Sequence, residues 1–330
     1  MAAIRHILKK TLGFSFKFIP QIRRAIERGL TVFVFHEVSD QPSRFAQQYD
    51  IAVSKTLFRR QATWIRSNFN VIHPSGILRG VKFPERAAII SFDDGFLGSF
   101  ENGFVILEEL ELPSIIFLNM QAILEQIPIL SATASFLDRY VPEFSDFSKT
   151  VGLPRPFHLT LTPSILSAFE SDYGTVDKAA IIAYQGRFAD WNVVRRWDGR
   201  ESVAFGNHLF NHWNAAALSS EELEEQYSRN EHALSMLQNK VNLFAFTNGQ
   251  PETCFSSRDV DLLQRLGAGK VFSASGRINR CPQDKYLLER MSLNGSDTDE
   301  NHLWFRTGRA VLRDLCAPST KEAGLAGLHR

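Results

Sequence analysis

Strands alternating with helices predict an α/β architecture with a parallel sheet or barrel, and three observations carry that prediction. Short β-branched and aromatic runs recur along the chain. Segments of helical period fall between them. At 330 residues the chain can hold one large α/β barrel or two ordinary domains. Hydrophobic content of 44% and charged content of 22% match a folded soluble protein, so a sizeable core is available. Twenty-seven phenylalanines against six tyrosines make that core aromatic and dry.

The first thirty residues carry seven Lys/Arg and one acid, Glu27. Ile4, Ile7, Leu8 and Leu12 recur at helical spacing, with Arg5, Lys9 and Lys10 between them. That pattern predicts a basic amphipathic segment over 1–30. Either it packs as an ordinary helix with a solvated basic face, or it makes peripheral contact with an anionic membrane. No apolar run reaches the length of a secretory or membrane-spanning segment. Cys254, Cys281 and Cys316 are widely spaced and form no CxxC pair, as for reduced thiols. The expected location is therefore cytoplasmic, with membrane association through the N-terminus left open. A formal charge of +1 argues against a chain-wide nucleic-acid footprint.

The main body is expected over 31–317, with 318–330 a Gly/Ala-rich tail. Residues 31–35 predict a buried strand ending at His36. A helix over 56–69 follows, then strands at 70–73 and 87–92, the latter closed by Asp93-Asp94-Gly95. A helix around 100–110 leads to a strand at 114–118. From about 127 to 200 the rhythm breaks into helices near 131–140, 163–169 and 177–184, around a Pro-rich loop at 153–156. This stretch reads as an insertion over one barrel loop. Strands resume at 202–205, 243–246, 270–272 and 286–288. Ser219, Ser220 and Glu222 start a strong helix over 219–237.

Two short stretches carry chemistry. His208 and His212, four residues apart, project from one side of a helical turn and can share a metal ion. Asp93-Asp94, at the C-terminal end of a strand, can add a third ligand and leave a carboxylate beside the metal as a base. Adjacent side chains of an extended chain point in opposite directions, so the two aspartates can do separate work. Alone, an Asp-Asp-Gly triplet is commonly an Asx-turn and a histidine pair is commonly solvated. Each here follows a predicted strand, and together they suggest a metal-dependent hydrolase.

At these residues the chain resembles the NodB-type polysaccharide deacetylases, the carbohydrate esterases of family four and their relatives. Phe92-Asp93-Asp94-Gly95 is similar to their first motif and His208-x-x-x-His212 to their second. Supporting context lies in Val34-Phe-His-Glu-Val-Ser39, Leu112-Pro-Ser-Ile-Ile-Phe117, Leu218-Ser-Ser-Glu-Glu222 and Phe244-Ala-Phe-Thr-Asn-Gly249.

The resemblance implies a distorted (β/α) barrel of about seven strands carrying a helical insertion. It implies Asp94, His208 and His212 as ligands of a divalent metal, zinc above all, with Asp93 as general base and metal-bound water as nucleophile. Backbone N–H groups near Thr247 and Asn248 would hold the oxyanion. His36 would be the acid, as in one exopolysaccharide-deacetylating branch. Thr247 stands where relatives often have Pro. The arginine that orients the base in some branches has no clear equivalent, and Arg290 matches a late arginine only loosely, grouped here with the substrate or oxyanion contacts. Trp213 would stack on a sugar or pack in the core. His73, His158 and His232 match no motif and read as structural or surface residues. The implied substrate is an N-acetylated amino sugar of a polysaccharide, oligosaccharide or glycan precursor. The alternatives are a non-sugar C–N amide on the same fold, and a non-catalytic carbohydrate-binding protein.

Overall fold

A computed structural model describes residues 2–80 and 82–315, so Cys316 and the 318–330 tail lie outside the described residues. Eleven strands are formed among the described residues: β1 Leu30–Phe35, β2 Glu37–Val38, β3 Ala52–Val53, β4 Asn70–Val71, β5 Ala87–Asp94, β6 Ser114–Leu118, β7 Val203–Asn207, β8 Lys240–Ala245, β9 Lys270–Phe272, β10 Leu287–Leu288 and β11 Met291–Ser292. Nine of them make one sheet in the order β10-β9-β8-β7-β6-β5-β1-β11, with β4 also on β5. All its strand pairs are parallel. The sheet curls into a half-barrel with helices around it, and its end strands β10 and β11 are separated in sequence by Glu289 and Arg290 alone. β4 and β10 fall within the strands expected at 70–73 and 286–288, whereas the two-residue β11 is too short for periodicity to register.

Period-two alternation divides the strands into two faces. Leu30, Val32, Ala87, Ile89, Ile115, Phe117, Ala204, Leu243, Ala245 and Leu288 form a cluster with almost no helical members, which is the barrel interior. The alternate residues Phe33, Phe35, Ala88, Ile90, Phe92, Ile116 and Phe205 pack outward against helix residues such as Phe58, Ile65, Leu107 and Leu234. Gly206 belongs to the inner set, and a Cβ there would lie 2.5 Å from Phe117 Cδ1. Only glycine leaves room for that ring.

The stretch between β6 and β7 is helical, as expected, with helices that include Leu130–Tyr140, Pro163–Tyr173 and Lys178–Gln185. Leu137, Phe144, Phe147, Phe157 and Phe169 give it a small core of its own. The barrel's outer layer is regained before residue 200, since Val193, Val194 and Trp197 of the helix Trp191–Trp197 join the central cluster. The helix expected around 100–110 opens with a wider π turn at Ser99–Phe104, where Asn102 Nδ2 donates to Val38 O at 2.8 Å.

The N-terminal helix Ala2–Phe16 does not pack through the apolar face expected of an ordinary packed helix. It packs on the helix Glu300–Leu315 through Gly13 and Phe16, while Lys10 and Lys17 pair with Asp299 and Glu300. The apolar residues face outward instead: Ile7 is 64% exposed, Leu8 56%, Phe14 56% and Phe18 63%.

Candidate active site

The strands' inner parity places the site. Carried two or four residues past the strands' inner positions, it reaches His36, Asp93, His208, Thr247 and Arg290 at the C-terminal mouth, where barrel chemistry is housed. Asp94 is out of phase and should point outward. Its φ of 73° turns it back, so both carboxylates face one cavity rather than opposite sides. Gly95, at φ 105°, continues the turn, and its N–H donates to Asp93 O at 2.9 Å.

The two histidines do not sit on a helix. Residues 208–214 form an irregular loop in which Leu209 and His212 take positive φ values of 61° and 57°. Its backbone groups are claimed by buried asparagines rather than by a helical ladder. Asn119 Nδ2 donates to the carbonyls of His208 and Leu209, and Leu209 N donates to Asn207 Oδ1 at 2.9 Å. Asn230 Nδ2 holds Asn207 Oδ1 and Leu118 O, each at 2.8 Å. The rings nonetheless converge, with centroids 5.3 Å apart.

Asp94, His208 and His212 offer ligand atoms that all lie within 4.8 Å of one another, and all three residues are buried. Asp94 Oδ1 is 3.1 Å from His212 Nε2 and 3.3 Å from His208 Nε2, yet it accepts no well-formed hydrogen bond. For His208 the reason is visible. Nδ1 is 2.7 Å from Ala245 O, which can only accept, so the proton sits there and Nε2 turns a lone pair toward Asp94. A buried carboxylate oxygen facing an imidazole lone pair is a poor arrangement alone and a good one around a cation. The set fits a divalent metal with nitrogen and oxygen ligands.

Asp93 is arranged differently. Arg290, fully buried, donates from both terminal nitrogens to its two carboxylate oxygens, at 2.6 and 2.8 Å. Burial works to raise the Asp93 pKa, but the Arg290 guanidinium outweighs it and holds the carboxyl below its usual range. Arg290 was expected among the substrate or oxyanion contacts. With both terminal nitrogens on Asp93 and Nε on Ser273 O at 2.9 Å, it is the group that orients the base-candidate carboxylate. His36 Nε2 lies 4.0 Å from Asp93 Oδ2, and burial lowers the His36 pKa although Asp94 and Asp93 oppose the shift.

Of the remaining candidates, Asn248 lines the cavity at φ 57° with a buried Nδ2 that has no hydrogen-bond partner. The Thr247 hydroxyl donates to Trp213 O. Trp213 does not line the cavity; its ring packs against the cluster of Leu209, Phe244 and Phe246. Residues without a motif also line the cavity, among them Tyr49, Ser131 and His158. Ser131 Oγ is 3.1 Å from His212 Nδ1, and His158 Nδ1 is 3.3 Å from Tyr49 OH. Nothing local in the sequence marks them, since Ser131 and His158 reach the mouth only as the helical stretch folds over it and Tyr49 comes from the segment between β2 and β3. The cavity measures about 350 Å³, within the range of small-molecule sites.

A family model described as polysaccharide deacetylase matches residues 80–271. No curated protein matches the sequence. Among solved structures, IcaB from Ammonifex degensii is 16% identical with a TM-score of 0.56, over 84% of this chain and 97% of its own. The Streptococcus pyogenes deacetylase PplD, in complex with acetate, is 11% identical with a TM-score of 0.54, over 84% and 98%. A de-N-acetylase from Aggregatibacter actinomycetemcomitans is 18% identical with a TM-score of 0.53, over 82% and 96%. At these identities the likeness to the solved structures is one of fold.

Proposed function

This chain belongs to the polysaccharide deacetylase family, and on that premise we propose that it removes an N-acetyl group from an amino sugar of an oligosaccharide or glycan precursor. The family implies a hydrolase acting on C–N bonds. One observation carries the finer reading: a buried Asp94 oxygen faces two histidine nitrogens beside a second carboxylate already fixed by Arg290. Binding a sugar needs no such base beside a cation site. The structural neighbour recorded with acetate, the product expected here, adds support.

Asp94, His208 and His212 would hold the divalent metal, zinc by the character of its ligands. When bound, such an ion supplies Lewis acidity, polarising the acyl carbonyl and lowering the pKa of water toward about 7. The chain's own groups do the rest. Asp93, ionised and held by the Arg290 fork, accepts the proton of the attacking water. Asn248 Nδ2, without a partner, donates toward the developing oxyanion. The proton must then reach the leaving nitrogen, because an amide nitrogen departs poorly as an anion, and His36 at 4.0 Å from Asp93 is placed to pass it.

The same reading sets the exposed Ile7, Leu8, Phe14 and Phe18 on an anionic membrane, which suits a lipid-linked precursor. The catalytic part is tested by assaying wild type and Asp93→Asn against acetylated chitooligosaccharides, acetylated glycan precursors and small amides. Amine release from the sugars, reduced at least about 100-fold in the variant, is expected. Release from the small amides alone reassigns the substrate, and equal release by both proteins removes Asp93 from the mechanism.

A further inference from the structure

We propose that Ser131, on the helical stretch between β6 and β7, is a positioning residue for His212, coupling the seating of that stretch over the barrel mouth to metal binding. The proposal rests on the reading of Asp94, His208 and His212 as metal ligands. Its observation is one contact across a long sequence gap: Ser131 Oγ lies 3.1 Å from His212 Nδ1, and both residues are buried. Ser131 stands in the first turn of the helix Leu130–Tyr140, whereas His212 belongs to the loop after β7.

A histidine that ligates through one nitrogen keeps its other nitrogen protonated and needs an acceptor to fix the ring. His208 finds that acceptor in the barrel itself, at Ala245 O. The contact recorded at His212 Nδ1 is the Ser131 hydroxyl, which does not belong to the barrel. His212 also sits at positive φ in a loop without a helical ladder, so its ring direction depends on what the side chain meets.

Ser131 is in turn fixed by the stretch that carries it. Its carbonyl accepts from Ser135 Oγ at 2.8 Å, and Ser135 Oγ meets Tyr49 OH at 2.6 Å. Ile129 N donates to Gln185 Oε1 at 2.7 Å, tying the start of the helix to the far side of the stretch. The direction of His212 therefore reports whether the stretch is seated. By linkage, a cation that requires this direction stabilises the seated state in equal measure.

The test uses the full chain, stripped by chelation, as wild type, Ser131→Ala and Ser131→Thr. Zinc affinity is read by competition with a chromophoric chelator. Hydrogen exchange across Leu130–Tyr140 is measured with and without zinc. Ser131→Ala is expected to bind zinc about 10-fold more weakly, Ser131→Thr to recover most of the loss, and zinc to slow exchange in wild type but not in Ser131→Ala. Equal zinc affinity in wild type and Ser131→Ala, with exchange indifferent to zinc, overturns the coupling and leaves Ser131 a packing residue. A wild type that binds no zinc overturns the metal reading itself and this inference with it.

Discussion

Asp93 sits between opposing influences, and the balance decides whether it can act as a base. Burial favours its neutral form; the bidentate Arg290 contact favours the carboxylate and prevails. Weakening that contact should raise the Asp93 pKa, so the basic form appears only at higher pH. In Arg290→Lys, which keeps a charge but not the fork, the acid limb of kcat/KM should move up in pH. The plateau should fall about 10–100-fold. An acid limb that stays in place would separate Arg290 from the base. At this scale the sequence was legible where residues sit in short motifs: Asp93, Asp94, His208 and His212 meet in one cavity. The Arg290 pairing spans 197 residues, and the Ser131 contact 81. No local pattern encodes a partner so distant. Of the two readings open for Trp213, its packing against the core is the one formed, and the Thr247 hydroxyl goes to a backbone carbonyl.

Elements supply the aim. The strands β1, β5, β7 and β8 were readable from short apolar runs, and the inner face they take in the fold delivers His36, Asp93 and His208 to the mouth. The left-handed residues that bring in Asp94 and His212 were not readable, because neither is glycine and both are held by tertiary contacts. Gly206 illustrates the cost of disturbing a strand beneath the site. Gly206→Ala should lower unfolding stability by about 1–3 kcal/mol through the clash with Phe117, read as an earlier urea midpoint. An unchanged midpoint would mean that the ring has room to yield. The N-terminal helix carries a separate expectation. Replacing Leu8 and Phe14 together by Glu should reduce co-sedimentation with anionic vesicles and leave neutral vesicles unaffected. Co-sedimentation that survives the change contradicts contact through this face.

At the scale of the whole molecule, a curled parallel sheet whose end strands are joined through Glu289-Arg290 brings Asp93, Asp94, His208 and His212 around one cavity, with Arg290 on Asp93. A helical stretch with its own aromatic core covers the mouth. Its helices were visible from their period, but not its reach into the cavity through Ser131 and His158, which depends on packing against Phe45 and Tyr184. The central claim is that Asp94, His208 and His212 hold a metal on which hydrolysis depends. It is tested most directly by measuring zinc content and amine release together, on wild type, metal-stripped wild type and His208→Ala, with an acetylated chitooligosaccharide and a pool of acetylated glycan precursors. One zinc per chain, with release that disappears on stripping and in His208→Ala, is the expected result. Release that persists without metal, or undiminished in His208→Ala, contradicts it.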